Sequence, residues 1–269
     1  MSNGEAAVAA WLAVIAAPTA FDKQMALEKV ILPADGTIWD MPLLPDRPGR
    51  PANWQESILQ PRRRRTLSHE PTRQRFLLAI HNIELSAIDL AVVGCLRGSG
   101  APQVFHADFM RIARDEARHA QLLEAELTRR AIPLGSAGVH YRLWDTACAC
   151  TDLGEHLVAI PRFLEARGLD VSAELLPRLA TMDPPAHAVL SVIYHDEIIH
   201  VDIGTRWHRW WCAQQCIDPL LHFQTVVARH FPGQVPGPTP LDGPGRQKAG
   251  FDADEMAWLR RPDEHFAQH

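Results

Sequence analysis

Two tyrosines in 269 residues, and few runs of alternating β-branched and polar residues, leave little from which to build a sheet. Strongly basic character is also missing: the net charge of −5 gives no global pull toward nucleic acid or an anionic membrane. No apolar run is read as reaching the roughly 20 residues of a membrane span. The N-terminus lacks a positively charged region, and Glu5 stands where a signal peptide would carry Lys or Arg. Five cysteines form no disulfide framework, which points to reduced thiols and a cytoplasmic setting. Cys148-x-Cys150 and Cys212-x-x-x-Cys216 raise the question of a zinc site. Positions i and i+2 point apart on a helix, however, and no loop gathers the four thiols. No low-complexity tail is visible, and no RNA-binding module accompanies the run Arg62–Arg65, which is read as a strap pairing with acidic neighbours rather than with phosphate.

Ala, Leu, Arg and Glu dominate the middle of the chain and favour helix. Two short helices are expected over 4–16 and 20–32, separated by Pro18 with Thr19 as a cap. Residues 33–61 carry Pro33, Pro42, Pro45, Pro48, Pro51 and Pro61, a density that forbids a long helix and predicts an extended strap. Pro71 and Thr72 open a helix running to Arg97. The segment Gly98-Ser99-Gly100-Ala101-Pro102 stops it, and a second helix follows over 103–130. A third is expected over 138–167, interrupted at Gly168-Leu169-Asp170 and resuming over 172–182, with Pro161 and Pro177 as kinks. Asp183-Pro184-Pro185 starts the fourth. A further helix covers 218–230, and Asp252-x-x-Glu255 is a capping box for a last short one. The expected fold is all-α: a four-helix bundle over 70–215, after an N-terminal helical and Pro-rich strap (1–69) and before short C-terminal helices (216–269).

One phrase occurs twice. Glu84 is followed thirty-two positions later by Glu116 in Asp115-Glu116-Ala117-Arg118-His119. Glu165 is followed thirty-two positions later by Glu197 in Asp196-Glu197-Ile198-Ile199-His200. On a helix, i and i+3 share a face, so each Glu-x-x-His offers a carboxylate and an imidazole to one point. Four carboxylates and two histidines from four helices make the ligand set of a dimetal carboxylate bundle. In the expected scheme Glu84 and His119 hold one metal, Glu165 and His200 the other, and Glu116 and Glu197 bridge. Oxygen and imidazole donors suit two ions of iron, or manganese, with zinc as a substitute in an expression host.

Depth can be checked from spacing. Glu84 lies fourteen residues before Gly98 and Glu116 thirteen after Gln103, so both sit about 20 Å from the turn. In the second half Glu165 matches Glu197 only if the helix continues through Gly168. The pair Glu155 and His156 is the competing third-helix site, although it breaks the symmetry. Asp115 and Asp196 are placed behind the opposite histidines as hydrogen-bond acceptors. His81, one turn before Glu84, is read as a hydrogen-bonded neighbour of the centre. His187 and His195 are assigned to the surface or the periphery of the site, and Trp207, Trp210 and Trp211 to packing.

These residues resemble an uncharacterised bacterial ferritin-like family, domain of unknown function 455. The likeness is carried by His81-Asn82-Ile83-Glu84-Leu85-Ser86-Ala87-Ile88-Asp89-Leu90-Ala91 and Arg114-Asp115-Glu116-Ala117-Arg118-His119. It continues in Pro161-Arg162-Phe163-Leu164-Glu165-Ala166-Arg167-Gly168-Leu169-Asp170, Asp196-Glu197-Ile198-Ile199-His200-Val201 and Ala249-Gly250-Phe251. The resemblance implies a carboxylate-bridged dimetal centre and favours Glu165 over Glu155. It supplies no reaction. A more distant likeness to tRNA-hydroxylating di-iron enzymes, in Glu165-Ala166-Arg167 and Glu116-Ala117-Arg118-His119, is an analogy of fold that does not transfer substrate. The expected activity is oxidation or hydroxylation of a small organic molecule by O₂, admitted beside the interrupted third helix near Gly168 and Pro177. The rival expectation is a non-catalytic protein that binds iron or is held together by metal.

Overall fold

A computed structural model describes residues 3–57 and 67–261; the run Arg62–Arg65 lies outside them. Helices account for nearly all the regular structure, and among the described residues the only β pairing is an isolated bridge between Glu56 and Val139. The chain divides into two compact units, residues 1–148 and 149–269.

In the first unit, α1 (Asn3–Ala16) and α2 (Ala20–Leu27) are joined at Pro18, and the Thr19 side chain caps α2 by accepting from Asp22 N. Residues 28–57 form the described part of the expected non-helical strap, and α2 ends five residues before the position the sequence suggests. The strap is fixed by specific bonds. Trp39 Nε1 donates to Leu96 O at 2.8 Å, and Gly49 passes so close to α1 that a Cβ there would lie 2.1 Å from Ala16 O. Asp89 binds Lys23 at 2.6 Å and Arg50 at 2.9 Å, tying α2 and the strap to the core. Lys23 Nζ also donates to Val14 O and Ile15 O, so this fully buried ammonium has its protons satisfied.

The hairpin of α3 (Glu70–Arg97) and α4 (Gln103–Arg129) carries the unit's core. Its turn places Gly100 at φ +80°, where a side chain would be strained. Against the expectation from sequence, α3 is long and apolar enough to cross a membrane. However, 78% of its most apolar window is buried inside the protein, as befits a core helix. Trp11, Trp39 and Phe105 enclose His106 at the turn end of the hairpin, with ring centroids 5.1–5.5 Å from it.

The region expected as one helix over 138–167 is broken. Helix α5 (Arg142–Ala149) ends at the division between units, and Asp152 restarts the chain by accepting from Glu155 N at 2.8 Å. A short α6 (Leu153–Leu157) runs directly into a π-helical segment, Val158–Glu165. Proline lacks the N–H of an α-helical bond and crowds the preceding turn, and the wider turn accommodates Pro161 without a break. Helix α7 (Ala166–Met182) then passes through Gly168 and Pro177 without interruption, which corrects the gap expected at Gly168-Leu169-Asp170. Asp183 turns the chain into α8 (Pro184–Gln215) and caps it through Ala186 N. The remaining helices are α9 (Pro219–His230), α10 (Gly243–Lys248) and α11 (Ala253–Leu259), the last opened by the expected Asp252/Glu255 capping box. Asp170 on α7 binds the Arg246 guanidinium through both oxygens, at 2.8 and 2.7 Å, and accepts from Asp242 N, anchoring the C-terminal segment to this unit.

Candidate metal centre

In the first unit, antiparallel packing of α3 on α4 brings Glu84 to the face presented by Glu116 and His119. His119 Nδ1 lies 3.1 Å from Glu84 Oε2 and 3.3 Å from Glu116 Oε2. One donor atom from each of the three falls within 4.8 Å of the others, and all three residues are buried. Electrostatics there are those of a site short of positive charge. Burial and the neighbouring Glu116 push the Glu84 carboxyl up to about 8. Burial disfavours the charged form of His119, but the two carboxylates outweigh it and raise the imidazole to about 12. Two carboxylates and an imidazole concentrated out of water are costly to keep together without a cation, and together they could hold a metal ion.

In the second unit, Glu197 Oε1 and His200 Nδ1 lie 3.9 Å apart on one face of α8, with His200 fully buried and Glu197 half-buried. Glu165 closes the π-helical segment and is half-buried. Since α7 carries on to Asp183, Glu165 lies eighteen residues before that turn and His200 seventeen after it. The helix thus continues through Gly168, as the match of Glu165 to Glu197 requires, but by residue count His200, rather than Glu197 at fourteen residues after the turn, stands level with Glu165.

Glu155 has other work. Its oxygens accept from Thr151 N at 2.8 Å and from Arg229, and His230 Nε2 lies 3.3 Å away, so it anchors α9 to the start of α6. His81 Nε2 lies 3.0 Å from Glu124 across the α3–α4 hairpin. Asp115 is half-buried beside Arg118 at 3.4 Å and Arg111 at 3.8 Å on its own helix. Asp196 is half-buried on α8. His187 and His195 both engage Ser191 one turn away. Trp207 and Trp210 pack edge to face at 5.3 Å. Each cysteine pair considered for zinc is split between a buried and an exposed thiol.

One cluster escaped the sequence reading. His208, Cys212 and His222 place donor atoms within 4.8 Å of one another. The signal was His208-x-x-x-Cys212 on one helical face, but nothing in the sequence placed His222 of α9 beside it. Arg162 decides its character. Its Nη1 donates to His208 Nδ1 at 2.8 Å, so the proton of the neutral ring sits on Nε2, aimed at His222 Nδ1 (2.9 Å) and Cys212 Sγ (3.4 Å). Burial, with Arg162 adding to it, depresses His208 to about 2. A proton where a metal would bind, beside a fixed guanidinium, makes this a hydrogen-bonded chain rather than a cation site.

The chain is similar to an uncharacterized protein of Haemophilus influenzae (strain ATCC 51907 / DSM 11121 / KW20 / Rd), with 33% identity over 198 residues. That alignment covers 68% of this chain and 66% of the relative, so just under two thirds of the relative's length is represented. No solved structure matches. The family described as protein of unknown function DUF455 matches residues 10–257, a span that includes both Glu-x-x-His phrases, both upstream glutamates and the Asp252/Glu255 capping box, and the chain belongs to that family.

Proposed function

We propose that this protein is a ferritin-like dimetal carboxylate protein that uses O₂ to oxidise or hydroxylate a small organic substrate. The observation that carries the reading is the buried Glu84–Glu116–His119 cluster, together with its sequence twin Glu165–Glu197–His200 at the same thirty-two-residue spacing. Glu84 and His119 would hold one ion, Glu165 and His200 the second, and Glu116 and Glu197 would bridge, with iron as the metal and manganese as the alternative. When reduced, such a centre supplies O₂ binding and oxidation of a bound molecule. The chain contributes a water-poor enclosure for three of the six donors: Glu84 is 4% exposed, and Glu116 and His119 are fully buried. The His81–Glu124 contact holds α3 against α4 one turn beyond Glu84.

Metal analysis of the chelated and reconstituted full chain tests the ligand set. Two iron ions per chain are expected, with loss of metal in Glu116→Ala and His200→Ala. Full occupancy in both variants would place the metal elsewhere. Mixing the anaerobic ferrous protein with O₂ tests the activity. Optical changes from iron oxidation, accelerated by a substrate from a small-molecule screen, are expected. A fully ferrous centre inert to O₂ with every candidate would leave metal with a structural role.

A further inference from the structure

The π-helical segment meets α8 at an unusually close point. A Cβ built on Gly204 would lie 2.4 Å from Pro161 Cβ and 2.5 Å from Pro161 Cγ, so the proline ring sits directly on the glycine backbone. Both residues are buried, and no other residue type would allow this approach. The segment and α7 run antiparallel to α8, so advancing along one means retreating along the other. Four residues on from Pro161 is Glu165; four residues back from Gly204 is His200. One contact therefore fixes the level of two side chains a turn away.

Arg162 holds the same segment from another side. Its Nη2 donates to Glu255 Oε1 at 2.5 Å and its Nη1 to His208 Nδ1 at 2.8 Å. The guanidinium also stacks over Phe223 at 4.6 Å and Phe251 at 5.0 Å. With its guanidinium bonded on two nitrogens and covered by two rings, the segment is held against rotation about its own axis. The hydrogen-bonded chain through His208 thus belongs to this clamp.

We propose that Pro161 and Gly204 form a seat that sets the depth of Glu165 against His200, making Gly204 a positioning residue for the second half of the centre. This rests on the dimetal reading given above. A purely structural contact would affect stability alone, whereas a seat also affects metal affinity, because groups that orient ligands typically alter it 10–100-fold, roughly.

The test is anaerobic ferrous iron titration of the full chain, with thermal melts of each metal-free protein recorded separately. Wild type is expected to bind two ions and Glu165→Ala one. Gly204→Ala should bind the second ion about tenfold or more weakly. Adding Pro161→Gly to Gly204→Ala, which places the new Cβ in the space the ring leaves, should return affinity to near wild type. Pro161→Gly alone removes the ring without adding an atom, and it should weaken the second ion even if Gly204→Ala fails to fold. If Gly204→Ala or Pro161→Gly, properly folded, keeps both ions at wild-type affinity while Glu165→Ala loses one, the seat is overturned and the ligand set stands. Wild type binding fewer than two ions, or Glu165→Ala keeping two, overturns the ligand reading itself.

Discussion

Replacing Glu84 with Gln should move the metal-free and metal-loaded proteins in opposite directions. In the metal-free chain, burial and the neighbouring Glu116 raise the Glu84 carboxyl to about 8 from an ordinary 4.5. A group whose folded value is raised contributes stability that is complete below the unfolded value and is lost as pH rises through the folded one. The window is therefore pH 4.5 to 8. At pH 7 the carboxyl is held protonated 2.5 units above its ordinary value, which at about 1.4 kcal/mol per unit costs about 3 kcal/mol. Gln avoids that cost but replaces a carboxyl next to His119 with an amide, a change worth about 1 kcal/mol. Net stabilisation of the metal-free form should be about 2 kcal/mol at pH 7 and close to nothing at pH 5. Urea unfolding of chelated wild type and Glu84→Gln at pH 5, 6, 7 and 8 measures it, with iron titration run alongside. The variant should gain stability progressively with pH while losing iron. A Gln variant no more stable than wild type at pH 8 would refute the electrostatic argument.

Glu155→Gln should leave metal content unchanged, because this carboxylate serves Arg229 and His230, and should lower stability by about 1–3 kcal/mol in urea unfolding. Cys212→Ser should likewise retain the full metal complement by elemental analysis, since the thiol adjoins a proton on His208 Nε2 rather than a cation site. Lys23→Met should destabilise the chain by about 3 kcal/mol, because Asp89 is wholly buried and would keep only Arg50; an unchanged unfolding midpoint would contradict its role.

Local chemistry explains why so many elements could be read directly. Proline removes a backbone donor and a capping carboxylate supplies an acceptor, so the start of α8 at Asp183-Pro184, the box at Asp252/Glu255 and the strap all follow from neighbours in sequence. Gly168 was misjudged for the opposite reason. A single glycine costs a helix only about 1 kcal/mol, which the packing of α7 on α8 outweighs, so the break on which the expected access route rested is absent. Pro161 reads as a kink because sequence alone does not reveal that the turn containing it widens into a π-helix seated on Gly204.

By itself, the sequence determined that the chain is helical and that two Glu-x-x-His faces exist, each with a glutamate thirty-two residues upstream, because helical periodicity is a property of the local backbone. Tertiary structure decided which polar groups already have partners. Glu155 competed with Glu165 in sequence although it broke the two-fold spacing, and Arg229 and His230 are now seen to engage it, while His208 and Cys212 gained His222 and Arg162 from distant segments. A buried charge is settled by whatever packing brings within about 3 Å of it, and that distance is fixed by helix rotation and depth rather than by spacing along the chain.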